Sequence, residues 1–193
     1  EKAVETAKKV AEETTVGSAH DGGKHIGPVV SKQQWDKIQD LIQKGIDEGA
    51  RLIAGGTGLP EGVNRGYYVR PTVFADVTND MTIARQEIFG PVVALIPFES
   101  EEEAVRIAND TIYGLASGVW TGSIRRAFTM ADRIRAGTVW VNTYRAVSPI
   151  APFGGHGLSG HGREGGLAAA LDYTTVKTVW LRTSDDPIPD PFV

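Results

Sequence analysis

Glu87 and Phe89 form the pair of residues whose types and spacing best suit a binding site. They stand two positions apart, directly before a Gly90-Pro91 break and a run of β-forming residues. In an extended segment, residues i and i+2 project from the same side, so the sequence predicts that the two side chains share one surface. A carboxylate offers two acceptor oxygens to a vicinal diol, and an aromatic ring offers a face or an edge to a flat heterocycle. A surface glutamate beside a core phenylalanine is the alternative reading.

The composition excludes several classes of function. The chain has 193 residues and no cysteine, which rules out disulfides, thiolate metal sites and a cysteine nucleophile within it. No apolar stretch approaches the roughly 20 residues that a membrane helix requires. The net charge is -4 with intermixed signs, which argues against nucleic acid as the main partner. We therefore expect a globular protein of one domain or one and a half, with no membrane or nucleic-acid partner.

Helical and strand patterns alternate along the chain. Ser31 and Ser100 each precede an apolar helical stripe and have Gln or Glu three residues later, as in a capping box, and Ser123 begins a third such helix. Short strands are predicted at 51–54, 67–69, 72–74, 92–98, 115–120 and 138–142. The stretch 92–98 is apolar enough to be buried on both faces. The alternation predicts an α/β fold with an open, mostly parallel sheet flanked by helices.

The last fifty residues have a different character. A glycine-rich loop runs from 143 to about 162, and long loops that leave the carboxyl ends of parallel strands are usually functional. Residues 165–171 suggest a short helix. Residues 173–182 are rich in Thr and Val and read as a strand that nothing later in the chain can pair with. Residues 183–193 form an Asp/Pro-rich tail.

Two apparent motifs in the loop, a glycine pattern and a pair of histidines, do not predict a binding site. Residues 155–160 match the dinucleotide pattern G-x-G-x-x-G, but the proline-rich stretch before them is not the strand that this fingerprint requires. His156 and His161 stand five positions apart, and Glu164 is the only nearby candidate partner. We therefore predict no metal site.

Three separated motifs together carry a family resemblance. Residues 87–91 read Glu-Ile-Phe-Gly-Pro, residues 137–142 read Gly-Thr-Val-Trp-Val-Asn, and residues 152–164 open with Pro-Phe-Gly-Gly and end in Gly-Arg-Glu. In this order they closely resemble the C-terminal part of an aldehyde dehydrogenase, from about Val16 to about Arg182. The resemblance implies that residues 1–172 are the C-terminal part of the catalytic domain. It implies that 173–182 are an oligomerisation strand, with 183–193 as a tail.

The resemblance also implies roles for individual residues. Glu87 would hydrogen-bond the nicotinamide-ribose hydroxyls of NAD or NADP, and Phe89 would pack near the nicotinamide. Phe153 would lie beside the aldehyde and the nucleophile. Glu164 matches a glutamate that supports a proton path in some members. The alternative is that Glu164 is simply an acid at the start of a short helix, where the helix dipole stabilises it.

The loop before Phe153 is the part that varies in the family to shape the aldehyde tunnel, and here it includes Tyr144, Arg145 and Val147. An arginine is an unusual wall for an aliphatic tunnel, so Arg145 either attracts a carboxylate or points to solvent. Gly157 departs from the family pattern, since many members carry lysine there. No contact of that lysine is therefore transferred to this chain.

The resemblance implies an NAD(P)-dependent oxidation of an aldehyde to a carboxylic acid through a cysteine thioester. The catalytic cysteine, the general base and most of the dinucleotide-binding domain would lie outside this chain, so we expect it to be inactive alone. A cytoplasmic homo-oligomer, dimer or tetramer, is expected. Two alternatives remain: a non-catalytic oligomerisation or binding module, and a related acyl-phosphate or acyl-CoA reductase.

Overall fold

The computed structural model describes residues 1–18, 20, 22 and 25–187, so part of the loop after the first helix and most of the tail lie outside the described residues. Helices and strands alternate as predicted. A single turn of 3-10 helix also occurs at Gly157–Ser159. The elements in chain order are α1 (Lys2–Glu13), α2 (Lys32–Asp47), β1 (Arg51–Ala54), β2 (Thr72–Ala75), α3 (Thr82–Arg85), β3 (Val92–Ala94), α4 (Glu101–Asn109), β4 (Ala116–Val119), α5 (Ile124–Arg133), β5 (Thr138–Val141) and α6 (Gly166–Asp172).

The strands form two small sheets in the described part of the chain. The first has the order β1-β2-β3, with β1 antiparallel and β3 parallel to β2. The second pairs β4 with β5 in parallel, from Ala116 opposite Thr138 to Val119 opposite Val141. Parallel pairing therefore predominates, as the alternation of strands and helices predicts, and the antiparallel β1–β2 pair is an addition to that prediction.

The main core lies between α2 and β2. All four residues of β2 are buried, and Phe74 is fully inaccessible. The helix presents its apolar stripe, with Ile38 and Ile42 both at 0% exposure. Its start follows the sequence, because the Ser31 hydroxyl accepts a hydrogen bond from the backbone of Gln34. Further buried members of this core are Leu41, Ala50, Val69, Val77, Ile83 and Ile88.

The second core is smaller. It contains Val105 of α4, Val119 of β4 and Met130 of α5, with a few half-buried neighbours. Ser100 and Ser123 cap α4 and α5 as predicted, each accepting a hydrogen bond from the backbone three residues later.

Three predicted strands differ from the structure. The stretch 92–98 forms a strand only over Val92–Ala94, and Val93 is 50% exposed because β3 is the outer strand of its sheet among the described residues. Residues 67–69 form no strand, since the carbonyls of Tyr67 and Tyr68 accept hydrogen bonds from Val29 and from the Trp35 indole instead.

The third difference is at 173–182, where the structure has no strand. An extended segment needs a partner for its backbone groups, and the described chain supplies none here. The apolar side chains are left in solvent, with Val176 at 88% and Trp180 at 93% exposure.

Candidate functional site

The 87–91 segment is held in place by α2. Gln34 donates its side-chain amide to the carbonyls of Ile88 and Phe89, both at 3.1 Å, and the Lys37 ammonium donates to the Glu87 carbonyl at 3.0 Å. Ile88 is buried in the main core. Three successive carbonyls are thus fixed by one helix, which gives this irregular segment a defined shape.

A second brace holds the turn of helix that leads into this segment. Arg85, the last residue of α3, makes a bidentate ion pair with Asp110 at 3.0 and 3.1 Å. Asn79 donates to the same carboxylate at 3.0 Å. The Asn79 hydrogen bond, followed by the Arg85 pair, holds the pKa of Asp110 below its usual value. The brace ties α3 to the end of α4.

Phe89 has a backbone conformation that its residue type disfavours. Its φ is 58°, in the left-handed region, and the residue is 72% exposed. Such a conformation costs on the order of 1–3 kcal/mol for a bulky residue and persists only where the surroundings impose it. Here the surroundings are the two carbonyl contacts from Gln34 and the buried Ile88. Strain of this kind collects at ligand-binding sites, and it leaves the Phe89 ring available to a flat partner.

Glu87 lies at the edge of a cavity of about 530 Å³. One wall of this cavity is formed by the start of β4 together with Leu158 and Ser159 of the glycine-rich loop. Ser117 Oγ is buried in this wall and lacks a hydrogen-bond partner among the described residues. The remaining lining residues are Ala84, Gln86, Ala108, Thr111, Tyr113, Gly114, Leu115, Ala116, Ile134, Arg135 and Ala136.

Backbone hydrogen bonds dock the glycine-rich loop onto this wall. His156 N–H donates to the Gly114 carbonyl at 3.1 Å, Leu158 N–H donates to Ile112 at 2.9 Å, and Gly114 N–H donates to Ser159 Oγ at 3.1 Å. Close approach also requires glycine, since a Cβ on Gly137 would stand 1.6 Å from the carbonyl oxygen of Gly154. The absence of a side chain at Gly137 therefore permits the loop to pack closely against the start of β5.

Phe153 and Glu164 are brought together across the loop. Their backbones exchange two hydrogen bonds of 2.7 Å, forming an isolated antiparallel bridge. The Arg163 guanidinium donates to the carbonyls of Gly155 and Gly162 at 2.8 and 2.7 Å and so closes the same turn. Phe153 is half-buried, whereas Glu164 is exposed, one residue before the Gly165 that caps α6.

The part of the loop that contains Tyr144, Arg145 and Val147 is organised by β5. The Trp140 indole donates to the Ala146 carbonyl at 2.8 Å, and its ring meets that of Tyr144 edge-on at 5.5 Å. The guanidinium carbon of Arg145 lies 6.0 Å from the centre of the Tyr144 ring. Tyr144, Arg145 and Val147 are all exposed.

Asn142 fixes the point where this loop leaves the sheet. Its side-chain amide exchanges two hydrogen bonds of 2.9 Å with the backbone of Thr121, extending the β4–β5 ladder by one step. Asn142 itself has a φ of 52°, which turns the chain sharply out of the strand. The loop therefore starts from a rigid support.

The structure separates the predicted residues into two groups. Because β4 and β5 are parallel, their amino ends share one edge of the sheet and their carboxyl ends the other. Glu87 and the cavity lie at the amino edge. Phe153 is near the same edge, because the next residue, Gly154, packs against Gly137 directly before β5. Tyr144, Arg145 and Val147 leave from the carboxyl edge, about 13 Å away for four-residue strands. The loop thus spans the sheet from one group to the other.

Several positioning residues were not identified from the sequence. The sequence pattern predicts Gln34 as the second half of a capping box, but its side chain reaches the 87–91 segment instead. Lys37, Trp140 and Asn142 carried no individual signal. The described residues contain no cluster of His, Cys, Asp or Glu suited to a metal ion, and no helix among them is both long and apolar enough to span a membrane.

Comparison with known proteins is consistent with these features. A sequence model of the aldehyde dehydrogenase family matches residues 1–179. The chain is 52% identical over 179 residues to the (Z)-2-((N-methylformamido)methylene)-5-hydroxybutyrolactone dehydrogenase of Acinetobacter baylyi, covering 92% of this chain and 36% of that protein. It is 48% identical over 175 residues to the betaine aldehyde dehydrogenase of Sinorhizobium fredii, covering 90% of this chain and again 36% of the relative.

Solved structures confirm the α/β fold class. An aldehyde dehydrogenase from Bartonella henselae superposes with a TM-score of 0.84 at 56% identity, covering 87% of this chain and 35% of that one. The Mycobacterium tuberculosis aldehyde dehydrogenase complexed with NAD+ superposes with a TM-score of 0.86 at 45% identity, covering 93% and 37%. This chain spans little more than a third of the length of these relatives. It belongs to the aldehyde dehydrogenase family.

Proposed function

We propose that this chain is the C-terminal part of the catalytic domain of an NAD(P)-dependent aldehyde dehydrogenase. The observation that carries the proposal is the 87–91 segment. A helix more than forty residues upstream holds its carbonyls, and the segment presents an exposed carboxylate, Glu87, and a strained, exposed aromatic residue, Phe89, two positions apart in the chain. Those two groups fit a nicotinamide ribose: the Glu87 carboxylate accepts from two vicinal hydroxyls, and the Phe89 ring packs beside the heterocycle.

The reaction consumes an aldehyde, water and oxidised NAD(P) and yields the carboxylate, NAD(P)H and two protons. The bound dinucleotide supplies the hydride acceptor. A cysteine thiolate forms the thioester that water then hydrolyses. With no cysteine in these 193 residues, the nucleophile belongs to a part of the enzyme outside this chain, and the chain alone does not turn over.

The remaining site residues act on the aldehyde side. Phe153, held by its bridge to Glu164, packs beside the aldehyde. Tyr144, Arg145 and Val147 shape the approach to it from the carboxyl edge. Glu164, which is exposed before α6, passes a proton to solvent in this proposal. The relatives described above are named as dehydrogenases, which supports the oxidative direction. We infer that the enzyme is cytoplasmic.

Glu87→Gln in the intact dehydrogenase tests the proposal. Losing the charged acceptor weakens the ribose contact, so we expect cofactor KM to rise about tenfold or kcat to fall by a similar factor. Glu61→Gln, at an exposed loop position away from the cavity, is the matched control and should match wild type. Unchanged cofactor KM and kcat in Glu87→Gln would remove Glu87 from the cofactor site.

The same assay separates the alternatives. If the chain belongs to a non-catalytic binding module, the intact protein, which includes the part upstream of this chain, should oxidise no aldehyde. A reductase predicts NAD(P)H consumption with an acyl phosphate or acyl-CoA that exceeds aldehyde oxidation.

We further propose that residues 173–182 are an oligomerisation strand that pairs with a second subunit. The support is the exposure of Val179 at 76%, Leu181 at 84% and the neighbouring apolar residues, in a segment with β-forming composition. Deleting 173–182 should shift the intact protein toward monomer on a sizing column. Truncation after Arg182 keeps the strand and should leave the elution volume of the dimer or tetramer unchanged. An oligomer that survives the internal deletion would refute the assignment.

A further inference from the structure

The glycine-rich loop carries a one-sided charge. From residue 143 to residue 163 there is no Asp or Glu, while the stretch contains Arg145, Arg163 and two histidines. In a chain with 24 acidic residues, a segment of this length without an acid has a positive formal charge of its own.

The two arginines of the loop are used differently. Arg163 is occupied by the carbonyls of Gly155 and Gly162, as described above. Arg145 forms no ion pair with a carboxylate among the described residues, and its guanidinium carbon lies over the Tyr144 ring, 6.0 Å from the ring centre. Elsewhere in the fold, arginines that brace elements do pair with acids, as Arg51 with Asp76 and Arg126 with Glu101. The positive charge of Arg145 is therefore available to a negatively charged group of a bound ligand.

The position of Arg145 is fixed by its surroundings. The Asn142 amide fixes the start of the loop on Thr121, and the Trp140 indole holds the carbonyl of Ala146 directly after Arg145. Arg145 itself has a φ of 57°, a left-handed conformation that needs such support. The backbone that carries the guanidinium is therefore held in place, and the guanidinium suits the planar, two-oxygen geometry of a carboxylate.

We propose that Arg145 is a specificity-determining residue that selects aldehydes carrying a carboxylate at the end remote from the aldehyde carbon. This rests on the proposed function. The remote end is specified because Arg145 leaves the carboxyl edge of β4–β5, about 13 Å across the sheet from the Glu87 cavity. The same charge repels a quaternary ammonium group. The chain therefore differs in substrate from the relatives that are named betaine aldehyde dehydrogenases.

The test uses the intact dehydrogenase and three aldehydes: 6-oxohexanoate, heptanal as its uncharged counterpart of similar length, and betaine aldehyde. In wild type, we expect kcat/KM for 6-oxohexanoate to exceed that for heptanal, and betaine aldehyde to be the poorest. In Arg145→Gln, the ratio of 6-oxohexanoate to heptanal should fall at least tenfold, about 1.4 kcal/mol. Arg145→Lys keeps the charge and should retain most of the ratio. Arg125→Gln, an exposed arginine of α5 outside the loop, should keep the wild-type ratio.

Salt provides a second readout that does not depend on how well a variant folds. Raising the salt concentration from about 0.05 to 0.5 M should lower the wild-type ratio, since exposed charges are screened. An equal ratio in wild type and Arg145→Gln, or a wild-type preference for betaine aldehyde, would overturn the inference alone. Inactivity of wild type on all three aldehydes would overturn the proposed function together with it.

Discussion

The two cores of this chain bury very different amounts of apolar surface. The α2–β2–α3 core contains several fully inaccessible side chains, including Ile42 and Phe74 at 0%. The core beneath β4–β5 has three buried members, and apolar side chains beside it remain exposed, with Phe128 of α5 at 72% and Trp120 at 64%. A two-stranded sheet is marginal on its own.

This difference bears on the two halves of the candidate site. The 87–91 segment rests on the larger core, so its strained geometry at Phe89 is maintained by this chain's own packing. The glycine-rich loop rests on the smaller core and is held mainly by backbone hydrogen bonds. We therefore expect the Glu87 end of the site to be the more stable one and the loop to open first.

Truncation of one side chain in each core is the strongest test of this comparison. Ile42→Ala should lower the free energy of unfolding by about 3–5 kcal/mol, since it leaves a cavity in a fully buried site. Met130→Ala should cost about 2 kcal/mol, because its site is smaller and can collapse. Urea unfolding of the 193-residue chain measures both. Equal losses would show that the cores do not differ.

Gly137→Ala tests the docking of the loop. The new Cβ has backbone as its nearest neighbour, at 1.6 Å, so the loop must move, at a cost of about 1–3 kcal/mol. Limited proteolysis should then cut within 143–163 several times faster than in wild type. Gly122→Ala meets nothing within 4 Å and is the control. Unchanged cleavage in Gly137→Ala would mean that the loop is not held by this contact.

The Asp110 brace predicts the smallest effect, a dependence of stability on acid. Since folding lowers the pKa of Asp110, its contribution is present above the unfolded value of about 4 and is lost as the pH falls through the lower folded value. Asp110→Asn should therefore be less stable than wild type at pH 7, with the gap closing below about pH 4. Urea midpoints at pH 7, 4 and 3 measure the gap, and Asp132→Asn on α5 is the control. A gap that is constant with pH would exclude the linkage.

Local sequence patterns determined much of this protein. Capping and amphipathicity act within a few positions of the chain. Local sequence therefore predicts the serine caps of α2, α4 and α5, the apolar stripe of the main core and the alternation of strand and helix. The family motifs likewise mark Glu87, Phe89 and Phe153 as candidates, and their roles remain predictions. The strand predicted at 92–98 is shorter because its neighbours in the sheet, and not its composition, decide its length.

Only the tertiary structure decided how the candidates are held. The side-chain amide of Gln34 donates to carbonyls 54 and 55 residues away and not to the start of its own helix. Packing of α2 against Ile88 brings those carbonyls within reach. The left-handed backbone of Phe89 and the separation of Glu87 from Arg145 across a parallel sheet follow from the same cause. Contacts between distant segments depend on which surfaces pack together, and a local residue pattern contains no record of that choice.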